Sequence, residues 1–122
     1  MGGLLLQLIL RITFGLIKKS MVTSIRVQEL MKEKEDFVFQ IRTKNGRGGN
    51  FELRQGNLSF SFERRNDATF EQIWENGFSA VITMLSKDET DLLRAFEDGK
   101  YRMKGDFTVA LWFNEVVKLA KP

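Results

Sequence analysis

Hydrophobic and polar positions change period along the chain, and each change marks an element. Residues 4–17, LLLQLILRITFGLI, are apolar nearly all round, with Gln7 and Arg11 in a thin polar stripe that Lys18 extends. A second, patchier helical stripe of Met21, Ile25, Val27, Leu30 and Met31 runs through residues 20–34. Gly15 and the Lys18-Lys19-Ser20 step read as the break between the two helices, with one continuous bent helix as the alternative. From Phe37 the period falls to two, as Phe37, Phe39 and Ile41 alternate with Val38, Gln40 and Arg42. The Gly-rich run at 45–50 turns the chain, Phe51 and Leu53 resume one face, and Arg54-Gln55-Gly56-Asn57 marks a tight hairpin. Leu58, Phe60 and Phe62 then alternate with Ser59, Ser61 and Glu63, and residues 68–74 carry a further strand with Phe70 and Trp74.

Helical spacing returns at Phe78, Val81, Ile82 and Leu85, behind Asn76 as a cap. It recurs at Leu92, Leu93 and Phe96, behind a Ser86-Lys87-Asp88-Glu89 capping box, and Gly99 suits the helix end. Tyr101 and Met103 alternate with Lys100, Arg102 and Lys104 in a closing strand. Gly105 turns the chain and Asp106 caps a last helix, in which Val109, Trp112, Phe113, Val116 and Leu119 share a face and which Pro122 stops. The pattern predicts an α+β domain: two leading helices, a meander with one apolar face, two helices, a strand and a final helix. Residues 1–34 form the leading helices, part of the domain or docked on it, and 35–122 the domain proper.

Composition changes the picture mainly by what it lacks. The 122 residues include no Cys and no His. Thiolate chemistry, disulfides and zinc-thiolate sites are out, and so is the commonest general base. We therefore expect no enzyme, no metal and no cofactor, and a cytoplasmic location fits a chain without disulfides. The run NGRGGN lacks the Gly-Lys-Ser/Thr ending of a phosphate loop and reads as a turn. Asp88, Glu89 and Asp91 read as helix-capping acids rather than a metal site. Net charge is +3, too little for a nucleic-acid binder. Arg42, Arg54, Lys100, Arg102 and Lys104 share the sheet's polar face with Glu52, Glu63 and Glu71, and mixed signs read as a solvated face.

The opening helix is too short and too interrupted for a membrane span, and its basic residues follow the apolar run instead of preceding it as in a signal peptide. Met1-Gly2 hints at myristoylation, but Leu6 stands where Ser or Thr is wanted. Residues 4–17 are expected to pack on the domain, on a second subunit as a homodimer contact, or on a partner protein. Peripheral membrane contact is the runner-up.

The segment from Phe37 to Ala120 resembles the lipid-binding domain of the sterol carrier protein type 2 family. FVFQIRTKNGRGG, DATFEQI and FEDGKYRMKGDFTVALWF carry the resemblance, in that order. The resemblance implies a five-stranded, mainly antiparallel sheet with helices on one face, enclosing a tunnel for sterols, fatty acyl chains or isoprenoids. The chain departs from the family in its apolar opening helix, and its Ala120-Lys121-Pro122 end is no peroxisomal address. Apolar stripes ordinarily fill themselves as core; with the resemblance, they become candidate walls for an apolar ligand. The inward positions are Phe39, Ile41, Phe60, Phe62 and Met103 from the sheet, with Val81, Ile82, Phe96, Trp112 and Val116 from the helices. The expected function is non-enzymatic lipid binding for transfer or presentation, with a scaffolding module as the alternative.

Overall fold

The computed structural model describes residues 2–86, 88 and 90–121. Its elements follow in the order α1 (Gly2–Thr23), α2 (Ile25–Glu33), β1 (Phe37–Thr43), β2 (Gly48–Arg54), β3 (Asn57–Ser61), β4 (Phe70–Trp74), α3 (Gly77–Leu85), α4 (Thr90–Glu97), β5 (Tyr101–Gly105) and α5 (Thr108–Ala120). The five strands form one sheet in the order β3-β2-β1-β4-β5. Only β1 and β4 run parallel. The β1–β2–β3 part of the expected meander is present, but β4 does not continue it: the chain crosses back from β3 and β4 pairs parallel with β1. The β2–β3 hairpin turns on Gln55 and Gly56, both at positive φ, as a two-residue turn requires.

Register places Phe37, Phe39, Ile41 and Thr43 of β1 on one face, aligned with Phe51 and Leu53 of β2 and with Phe70, Gln72 and Trp74 of β4. Helices cover that face. α1 and α5 lie over the β1–β3 half, and α3 and α4 over β4 and β5. α1 sends Leu6, Leu10 and Ile17 into the same core as the sheet residues, and its Gln7 Nε2 donates to the Gly48 carbonyl at 3.1 Å. The opening helix thus packs on its own sheet. It also runs unbroken through Gly15 and Lys18–Ser20, contrary to the break expected there. The chain turns at Ser24, whose side chain accepts from the Val27 N–H at 3.2 Å and caps α2.

Asn76 caps α3 through the Ser79 N–H at 2.9 Å, as its position suggested. Asp88, not Ser86, supplies the oxygen at the start of α4, accepting from the Thr90 N–H at 2.9 Å. The proposed capping-box partner Glu89, the stop at Pro122 and the Met1 end of the myristoylation motif lie outside the described residues. Gly77 permits a close helix contact: a Cβ there would sit 2.1 Å from the Gly2 carbonyl carbon, so no larger residue fits where α3 meets α1.

The opposite face of the sheet is polar and partly roofed by residues 62–69. Gln40, buried on β1, donates from Nε2 to the Arg65 carbonyl at 3.0 Å and accepts from the Arg65 N–H at 2.7 Å. Asn50 on β2 donates to the Glu63 carbonyl. Thr69 accepts from the Val38 N–H through its hydroxyl and donates its own N–H to the Val38 carbonyl. Two buried amides and the Thr69–Val38 pair therefore hold this loop in place, and among the described residues no buried side-chain nitrogen or oxygen lacks a partner.

Candidate ligand-binding site

Aromatic rings crowd the sheet's covered face. Phe39 meets Phe70 at 5.4 Å and Phe113 of α5 at 4.9 Å between ring centroids. Phe113 also contacts Phe51 at 4.7 Å, and Phe51 contacts Phe60 at 5.0 Å. Phe14 of α1 completes the cluster by stacking on Phe60 at 5.7 Å. Phe39, Ile41, Val81 and Val116 are buried as expected, and Phe60 and Met103 pack half-buried against the same core. Trp112 is half-buried too, but it faces α2: its ring meets Phe37 at 5.1 Å and its Nε1 donates to the Leu30 carbonyl at 2.9 Å. It staples α2 to α5.

Three of the expected wall residues point outward. Phe62 is 51% exposed because β3 ends at Ser61, so the alternation that placed it inward has already stopped; it leans edge-on against Phe60. Ile82 is 69% exposed, since Ala80 and Val81 take the buried arc of α3 and the next residue lies about 100° round the helix. Phe96 is 43% exposed by the same logic, with Ala95 taking the inward place on α4 while Phe96 rests on Tyr101.

Ile82 nonetheless lines a hollow. Between α3 and α4 lies an open groove of about 560 Å³, with Ile82, Leu85 and Ala95 among its walls and Asp91, Arg94, Asp98 and Lys100 at its polar edges. That volume lies within the ~300–1,000 Å³ typical of small-molecule sites. Phe78 of α3 and Leu93 of α4 are exposed on the same pair of helices. On the covered face of β4 and β5, Tyr101 stacks on Trp74 at 4.4 Å, and burial pushes the Tyr101 hydroxyl above its ordinary pKa. Gln72 is the one amide on the covered face; it accepts from Trp74 Nε1 at 3.4 Å. This groove was not foreseen from the sequence; the signal for it was the two short, adjacent apolar helices of residues 77–97.

The groove is amphipathic. Its apolar wall can receive a hydrocarbon chain, and Arg94 and Lys100 can meet a polar or anionic end. In its lining the Ser86 hydroxyl donates to the Asp91 carboxylate, and the described residues contain no group of three or more potential metal ligands. No described helix is long and apolar enough to cross a membrane.

The strand order, the parallel β1–β4 pair, the helical pair before β5 and the closing helix together define the sterol carrier protein type 2-like fold, which this chain adopts. Among solved structures it is similar to a protein described as UbiJ-SCP2 Ubiquinone synthesis protein, with 16% identity, a TM-score of 0.64, and 90% of this chain and 96% of that chain covered. It is similar as well to sterol carrier protein 2 from Yarrowia lipolytica in its apo form, with 19% identity, a TM-score of 0.51 and 88% of each chain covered. At these identities the likeness shows the fold. No protein-family model and no curated protein matches the chain.

Proposed function

We propose that this protein binds a lipid or another long apolar molecule, without acting on it chemically, and that the ligand lies against the α3–α4 groove. The observation that carries the reading is an open, apolar-walled groove on a sterol carrier-like fold, with Ile82 and Leu85 left largely exposed on its rim. Exposed apolar side chains of this size cost solvation unless something covers them part of the time. The fold neighbours' names, a sterol carrier and a ubiquinone synthesis protein, favour sterol- or isoprenoid-like ligands, handed on or presented to an enzyme. The chain without His or Cys fits carriage better than catalysis. Native mass spectrometry of the purified full chain tests this. A co-purified lipid mass is expected; a bare protein that also fails to take up added fatty acid or prenyl alcohol would overturn the reading.

A second reading rests on α1. Its inward row is buried, yet Leu4, Leu8 and Ile12 remain at least half exposed on the other side. A row of that kind also suits a second copy of the chain or a scaffolded partner. A light-scattering mass of twice the monomer, returned to one by Leu8→Lys, would favour it.

A further inference from the structure

On the sheet face away from the helices, beneath the 62–69 loop, lies a hollow of about 310 Å³. Arg42, Arg64, Arg65, Asn66, Ala68, Glu71, Lys104 and Gly105 line it. Four of these side chains are cationic and one is acidic. The pairs are unequally shared. Glu71 is engaged by Arg42 Nε at 3.0 Å and by Gln40. Arg65 is engaged by Glu52 and Asp67, both at 2.7 Å. Arg64 and Lys104 have no acidic partner within ion-pair distance among the described residues. Two cationic residues without an ion pair, together with Asn66, therefore line one small space.

The setting is built rather than incidental. The loop bearing Arg64, Arg65 and Asn66 is fixed by the two Gln40 bonds to the Arg65 backbone and by Asn50. Lys104 lies next to the end of β5, opposite Glu71 in register. Glu71 is held by Arg42 and Gln40, so it does not neutralise the lysine across from it. The side chains of Arg64, Asn66 and Lys104 are exposed, but a loop whose backbone is already fixed binds an oxyanion with less ordering than a free one. The volume suits one compact group at the small end of ligand sites. Guanidinium, ammonium and amide donors together match the several oxygens of a phosphate better than the two of a carboxylate.

We infer that this hollow is a binding site for a phosphate group, either free phosphate or the phosphomonoester of a lipid headgroup, held chiefly by Arg64, Lys104 and Asn66. It is independent of the apolar groove, which faces the other side of the sheet.

Calorimetric titration of inorganic phosphate into the full chain tests this, alongside vesicles of phosphatidylcholine with and without phosphatidic acid. Saturable phosphate binding at one site per chain is expected. Arg64→Gln and Lys104→Gln should each weaken it about tenfold or more, the scale of a lost charge-assisted hydrogen bond. Lys19→Gln, on α1, should leave it unchanged. Among the described residues neither Arg64 nor Lys104 holds an ion pair, so thermal melts of both variants should match the parent and exclude misfolding as the cause. Phosphatidic acid vesicles that bind through the same two residues assign the headgroup as the source; phosphate binding with no vesicle dependence assigns the free ion. No saturable binding of either probe, or equal losses in Lys19→Gln, would overturn the site.

Discussion

Two leucines two residues apart on α1, on opposite faces of the helix, test whether it is structural. Leu8→Ala and Leu10→Ala remove the same atoms, and both exchange one good helix former for another. Their surroundings differ: Leu10 is wholly buried, whereas Leu8 is 55% exposed. Truncating Leu10 loses the transfer free energy of its side chain and leaves a cavity beside Leu6 and Ile17, costing about 3 kcal/mol within a range of ~2–5. A domain of this size shifts its melting temperature by about 3–5 °C per kcal/mol, so Leu10→Ala should melt about 9–15 °C lower. Leu8→Ala should stay within about 0.5 kcal/mol of the parent. Thermal and urea unfolding, followed by circular dichroism and by Trp74 and Trp112 fluorescence, measure both. Equal effects of the two substitutions would refute the packing of α1 on its own sheet.

Other consequences follow from the same packing and from the outer-face charges. Removing residues 1–19 should abolish cooperative unfolding rather than trim an appendage, because Leu6, Leu10 and Ile17 leave the core together; a truncated chain with the parent's melting point would contradict this. Gly77→Ala has no room beside Gly2 and should cost about 1–3 kcal/mol, read by urea denaturation. Hydrogen bonds from Arg65 hold the Glu52 and Asp67 carboxyls below their usual range, while those acids, Asp67 foremost, raise Arg65. A depressed folded-state pKa adds stability above the unfolded value and loses it as pH falls through the folded value. Arg65→Gln should therefore be less stable than the parent near neutrality, with the gap closing below about pH 4, where carboxylates protonate; a gap independent of pH would exclude the ion pairs as its source.

The sequence exposed most of the architecture because its periods were clean. Phe37, Phe39 and Ile41, then Leu58 and Phe60, alternate as a half-covered strand must, and Asn76 and Gly56 mark their boundaries by chemistry that nothing else explains. The errors came where a pattern outran its element. Phe62 continued an alternation whose strand had ended, and Ile82 and Phe96 followed a helical stripe wider than the arc the sheet can cover. Gly15 suggested a break, but a single glycine costs a helix only about 1 kcal/mol, which the packing of Leu10 and Ile17 on either side outweighs. The outer hollow was invisible for another reason. Its cations lie on β1, β5 and the 62–69 loop, and only the register and the Gln40 clamp bring them together.

Titration of a fluorescent fatty-acyl probe into the intact chain and into Ile82→Asp tests the central claim most directly. Ile82 is exposed on the groove wall, so the substitution should leave the melting temperature within the range of ordinary surface changes, about 0.5 kcal/mol. Saturable binding by the parent, weakened at least about tenfold in the variant, is the predicted result. Probe uptake that never saturates, or that is the same in both proteins, would contradict a lipid site in the α3–α4 groove.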